Sequence, residues 1–383
     1  MAVKYWIGST STDATVASNW STGALPAQGD IIIFDETAQR DCVGNIATLG
    51  GNGIHLQAMK MTNQFNKKIG SSLSAPLVVH ANLVEIDRRA TYGDLFLDLQ
   101  ETSTAGTGGT SDDGANQLLK LTGFTTAEDK IYLKGRVDEM TISGRGSGAA
   151  NQFKGMVCFA DASATDTGEG VATVRINGNV VGAKVYLGPW GTNPRTIDVL
   201  DVAANGALQG NCEVYTFVPT ITKISTEPGR GPSLPNKVNI YTTSDSESGF
   251  AAGTNTSTQI TVGDLVTKRG ETSDTGLTDQ SVVAWAGTKF NNLSMEGGGL
   301  FFASTTYQAD ANMPVIAHEI AKGTIDENTV INMGALSPGL ITITDTASGS
   351  NGLQIKSSDC TVTVPVGSNI EMDAAAIATT VSA

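Results

Sequence analysis

At 383 residues the chain can hold two or three ordinary domains or one elongated body. Apolar residues make up 40% and charged residues only 16%, and 44 glycines recur among many serines and threonines, a balance that argues against a helical protein. The net charge of −14 argues against a nucleic-acid partner on electrostatics, and no apolar run is long enough to span a membrane.

In chain order, the N-terminal MAVKYWIGSTSTDA lacks the apolar core of a secretory signal, so synthesis in the cytoplasm is expected. The stretch NWSTGALPAQGDIIIFD (residues 19–35) then joins an Asn-Trp pair, a Pro and a Gly-Asp turn to a run of Ile and Phe that reads as a strand. Short period-two segments follow, from APLVVHANLVEID and DLFLDLQ through KIYLKG, ATVRING, AKVYLG and KVNIYTT to GLITIT and CTVTVPV. Gly, Asn, Asp or Ser separates them. Only DANMPVIAHEIAKG (residues 310–323) and the Ala-rich stretch from Asp373 to Thr379 read as helical. Polar sequence at residues 102–117, the three-proline STEPGRGPSLPNK (Ser225–Lys237) and the stretch from Thr242 to Gln259 interrupt the series. The division this predicts is a cap or docking segment over 1–36 and a β-solenoid body over 37–240. Residues 241–383 either continue the solenoid or form a smaller second β domain.

One local figure recurs. IYLKGRVDEMTIS, VRINGNVVGAKVYLG, LDVAANGALQGNCEVYTF and VIAHEIAKGTIDENTVINM each place a Gly two residues before an aliphatic, between two short strands. The pairs are Gly135 with Val137, Gly178 with Val180, Gly206 with Leu208, and Gly323 with Ile325. Gly permits a tight corner and the aliphatic turns inward; a single rung cannot bury its face, whereas stacked rungs share one core. The figure predicts an all-β chain built as a right-handed parallel β-helix, or β-solenoid, with an N-terminal cap. Its spacing is irregular, and the competing reading is a β-sandwich whose hairpins happen to repeat.

YWIG (Tyr5–Gly8), NWS (Asn19–Ser21), PAQGD (Pro26–Asp30) and IIIFD (Ile31–Asp35) form one series. It resembles the N-terminus of a group of tailed-bacteriophage proteins, mostly of unassigned role, that begin W-V-G, N-W-S, P-x-x-D-D and V-x-F. MKMTNQFNKKIGSSLSAPLVVHANLVEID (Met59–Asp87) is similar to the first rungs of the same group. Gly29 stands where the group often has an acidic residue, a departure that a turn tolerates. Similar openings occur in β-helical autotransporter passengers, which carry signal peptides. The resemblance covers residues 5–87 and implies a virion structural protein, assembled in the host cytoplasm, elongated and oligomeric.

Trp6, Trp20, Pro26, Asp30 and Phe34 are the candidate site within that series. The end rung of a solenoid exposes unpaired backbone and apolar core. Trp6 and Trp20 offer faces to cover it, while Pro26 and the Gly29-Asp30 turn fix how Ile31–Phe34 enters the first rung. The competing reading makes the two indoles a sugar-stacking or docking surface.

Signals for chemistry are weaker. His318-Glu319 begins an HExxH string, but Lys322 stands where the second His belongs. GRGSG at 144–148 lacks the Lys-Ser/Thr of a phosphate loop. Asp94 and Asp98 in YGDLFLDL would share one face of a strand, with Leu95 and Leu97 opposite, and are the one carboxylate pair with glycosidase-like spacing; the plainer reading is a solvent-facing strand edge. Asp161, Asp166 and Glu169 miss the spacing of a calcium loop. Cys42, Cys158, Cys212 and Cys360 lie far apart and read as reduced, buried thiols. No cofactor or metal is called for. The expectation is a non-enzymatic phage protein, a homotrimer that decorates and stabilises the head by attaching to the major capsid protein or another virion protein. The alternative is a tail spike or fibre that binds host surface polysaccharide, with or without hydrolysing it; an aromatic content of 6% counts against it.

Overall fold

The structure, a computed structural model, describes residues 1–46, 54–88, 93–99, 117–145, 149–161, 168–177, 179–191, 194–202, 211–226, 237–240, 259–268, 280–302, 317–326, 329–333, 341–343, 353–355, 361–363 and 381–382. All strand pairings among them are parallel, and the chain alternates between two ladders. The first ladder runs from Val3–Tyr5 through Ile31–Phe34, Leu56–Met61, Ala81–Arg88 and Leu118–Gly123 onward to Leu353–Ile355. The second runs from Gly44–Asn45 through Leu77–Val78 and Leu95–Leu99 to Val381–Ser382. A chain that visits two parallel ladders in alternation is a β-solenoid, and the sandwich reading, which needs antiparallel hairpins, does not describe it.

Period-two alternation builds the core. Phe34, Met61, Ile86, Leu121, Ile142, Ile176 and Val202 occupy one register column of the first ladder, and all are buried. The next column along each strand faces out and carries charge: Lys60, Glu85 and Lys120 stack on successive rungs with Nζ–Oε distances of 2.8 and 3.6 Å. The ladders require matched register only where strands touch. The step between partners is therefore free to vary, 21 residues from Leu118 to Glu139 and 41 from Ile224 to Leu265, which is why no fixed repeat length is visible.

The ladders continue across the predicted boundary at 241. Thr220–Thr226 pairs directly with Ile260–Thr267, and Lys237–Ile240 with Gln280–Ala284. Residues 317–326 correct the helical expectation. His318–Ile320 and Gly323–Ile325 are strands, because His318 and Ile320 alternate inward against the rungs before and after. The Ala-rich stretch 373–379, Gly178, Gly206, Leu208, Asp166 and Cys360 lie outside the described residues.

The 14-residue strand Lys130–Ser143 serves both ladders: Ile131–Gly135 pairs with Leu95–Leu99, and Arg136 begins the pairing with Gly170–Ile176. Gly135 is the corner. Its φ is +96°, and a Cβ there would lie 2.4 Å from the Leu99 carbonyl oxygen. Gly135→Ala should therefore lower the unfolding free energy by at least ~3 kcal/mol through backbone strain and rung collision together. Gly29→Ala, with φ +74° and open space around the added methyl, should cost only ~1 kcal/mol. Equal losses in urea melts of the two variants would show that the collision at the corner is absent in solution.

Candidate functional site

The Val3–Tyr5 strand is the outermost strand of its ladder and has one ladder partner, Ile31–Phe34. Its other edge is met by the chain's own Asn-Trp segment. Ser21 donates its backbone N–H to Tyr5 O at 3.0 Å, and Tyr5 N–H reaches Ser21 Oγ at 3.0 Å. Ile7 and Gly8 N–H both reach Asn19 O, at 2.8 and 3.0 Å, and Trp6 and Trp20 form an antiparallel bridge. The exposed edge of the ladder is blocked from Tyr5 to Gly8.

Beneath that lid lies an aromatic cluster. Trp6 and Trp20 meet edge to face with centroids 5.3 Å apart, Trp20 meets Phe34 at 6.3 Å, and Phe34 meets Phe65 at 5.4 Å. Both indoles are buried, and their N–H groups donate to Arg40 O and Ala14 O at 2.9 Å each. An indole with no accessible face cannot stack on a sugar, so this geometry assigns Trp6 and Trp20 to the cap and not to a glycan surface. Asn19 is fully buried. Its Oδ1 accepts from Thr10 and Ser11 N–H, and its Nδ2 donates to Ser11 Oγ and Asp13 O.

Pro26 is buried at the entry of the turn, and Asp30 ties three segments together. Its carboxylate accepts from Ala2 N–H at 2.7 Å and Ala27 N–H at 3.0 Å and lies 3.3 Å from Lys4 Nζ. Burial alone would raise the Asp30 pKa; the two backbone donors and the Lys4 ammonium outweigh it and hold the carboxyl below its usual range. Lys4 and Arg40 escaped the sequence reading, because polar residues in a segment of unknown path carry no periodic signal, and Asn19 is read there only as part of the Asn-Trp motif.

The outward face beside the cap is apolar. Val3, Ile31, Ala58, Leu83 and Leu118 stand in one register column over five rungs, and Tyr5 and Ile33 start the adjacent column. The described residues leave four large apolar side chains exposed: Met1, Val3, Tyr5 and Leu118. Three belong to this face and the fourth precedes it by two residues. Lys60, Glu85 and Lys120 border the patch.

The remaining candidates separate. Asp94 precedes the Leu95–Leu99 strand, whereas Asp98 is buried on its outer side with Lys134 Nζ at 3.7 Å. Phe96, stacked on Tyr132 at 5.0 Å, stands between them along the strand. The plainer reading of a solvent-facing edge is corrected too, since Asp98 is 6% exposed. His318 lies in the core against Phe302, accepting the Thr288 N–H on Nδ1 at 3.2 Å. Burial pushes its pKa down to about 4, so it is neutral near pH 7. Cys42, Cys158 and Cys212 are buried thiols, with Cys212 pushed up to about 12 by burial. Comparison of the chain with protein-family models, curated proteins and solved structures found no match.

Removing an indole from this cluster leaves a cavity at the end of the stack. Trp20→Ala should cost about 3–5 kcal/mol in urea unfolding; a loss under ~1 kcal/mol would show that the cap is not packed in solution. His318 supplies a pH test. An unfolded histidine charges near pH 6.5 while the folded one resists until about 4, so the unfolded state binds more protons between those values. Stability is complete above pH 6.5 and falls by on the order of 3 kcal/mol toward pH 4. His318→Gln, which keeps an acceptor but does not titrate, should flatten that part of the stability–pH curve.

Proposed function

We propose that this chain is a non-enzymatic structural protein of a tailed-phage particle, a homotrimer that decorates the head by attaching to the major capsid protein. The single observation that carries the reading is the segregation of its surface. The large exposed apolar side chains gather beside the sealed N-terminal end, while the outer columns farther along carry stacked charges such as Glu139, Arg175 and Asp201. An apolar patch with a charged border is what a protein attachment face requires. The border carries two lysines to one glutamate on a chain that is −14 overall, which fits an acidic rim on the partner. The resemblance of residues 5–87 to phage virion proteins supplies the particle.

Rebinding to capsids stripped of this protein tests the attachment. Tyr5→Glu and Leu118→Glu place a charge on the outward face without touching the core, so melting should be unchanged while capsid affinity falls at least ~10-fold for each. Unchanged affinity would remove this face from the contact. Particles carrying a C-terminal label should show it spread over the head, and label confined to the tail tip would overturn the decoration role. Light scattering should give three times the 39.6 kDa of one chain.

A further inference from the structure

A lysine-lined cleft opens on the outer side of the second ladder, beginning on the strand that follows Leu118, the last member of the apolar column. Lys130, Met156 and Lys184 are register partners on three successive strands, Met156 in the middle. With strands about 4.8 Å apart, the Cα atoms of the two lysines stand roughly 10 Å apart across Met156. Lys154 enters from the turn before the Met156–Phe159 strand, held by its N–H on Phe124 O at 2.7 Å. Together with Gly155 and Gly182 these side chains line a cavity of about 330 Å³.

The backbone is arranged around that space. A Cβ at Gly155 would lie 2.8 Å from both Asp129 O and Phe124 Cβ, so glycine lets the turn carrying Lys154 sit down on the previous rung. Gly182 has φ +71° and opens onto empty space. It lies in a register shift between Val181 and Lys184, the kind of irregularity that re-aims the side chains around it. Among the described residues Lys130 and Lys154 have no ion pair. Lys184 has a partner of its own, and the next residue on its column is Glu213, which already accepts the Tyr215 hydroxyl at 2.5 Å. Glu128, on the same turn as Lys130, is exposed and does not line the cavity.

Lysines lining one cavity repel each other until an anion lies between them. The cavity is larger than a bare oxyanion and at the lower end of small-molecule sites. Its floor is the buried Met156 side chain, an apolar surface suited to the face of a ring. We infer that this cleft binds an anionic sugar unit, its phosphate or carboxylate held between Lys130 and Lys154 and its ring laid on Met156. The inference does not depend on where the protein sits in a particle.

Calorimetric titration of the full chain with glucuronate, glucose 6-phosphate, inorganic phosphate and glucose tests it. Saturable binding of at least one of the two acidic sugars is expected, with no binding of glucose. A response to glucuronate alone identifies a carboxylate ligand, and a response to glucose 6-phosphate alone identifies a phosphate ligand. Lys130→Gln and Lys154→Gln should each weaken binding at least ~10-fold, whereas Lys289→Gln, whose lysine pairs with Glu319 on the other ladder, should not. Binding of inorganic phosphate as tight as either sugar would overturn the sugar assignment. No saturable binding, or binding by both variants as tight as by the unaltered chain, would overturn the site.

Discussion

A parallel ladder satisfies its backbone only by adding another strand, so wherever it stops a row of N–H and C=O groups is left for any passing edge. Much of this molecule follows from that constraint. Successive rungs meet it by returning to register after steps as different as 21 and 41 residues. The outermost strand, Val3–Tyr5, meets it by folding Asn19–Ser21 back along its free side. That return path needs an anchor, which the Trp6, Trp20 and Phe34 cluster supplies from below and Asn19 supplies with both ends of its amide.

Sealing the end in this way uses up the residues that look most like a binding surface. The indoles face inward with their N–H groups occupied, so recognition is left to the outward columns of the ladders. Those columns differ along the stack. Near the cap one is apolar for five rungs, farther along the same ladder charges alternate, and on the other ladder lysines and a methionine line one cavity. Because register partners sit about 4.8 Å apart, a residue type repeated at matching positions becomes a continuous stripe, whatever its separation in sequence.

The parts legible in the sequence were those with local causes. Strand after strand of period-two alternation needs one covered face and one outward face, and the Gly-x-aliphatic figure marks a corner between the two ladders at Gly135. The Asn-Trp and Pro-Gly-Asp signals around Ile31–Phe34 mark an entry turn that is built as read. One local reading failed and another was recast, because their outcome was not local. HEIAKG has apolar spacing compatible with a helix, yet register with Phe290 and Ile343 makes it strand. Asp94 and Asp98 suggest a carboxylate pair, yet Phe96 stacks on the next rung between them and Lys134 claims Asp98.

What the sequence by itself determined is the class of fold and the turn that leads into Ile31–Phe34, since alternation, corner glycines and turn chemistry act over a few residues. The tertiary structure alone decided which columns face outward together. Val3, Ile31, Leu83 and Leu118 become neighbours, as do Lys130, Lys154 and Lys184, only when rungs of unequal length come into register. Register depends on hydrogen bonds between strands whose partners lie 18 to 44 positions apart, and no local pattern encodes that distance.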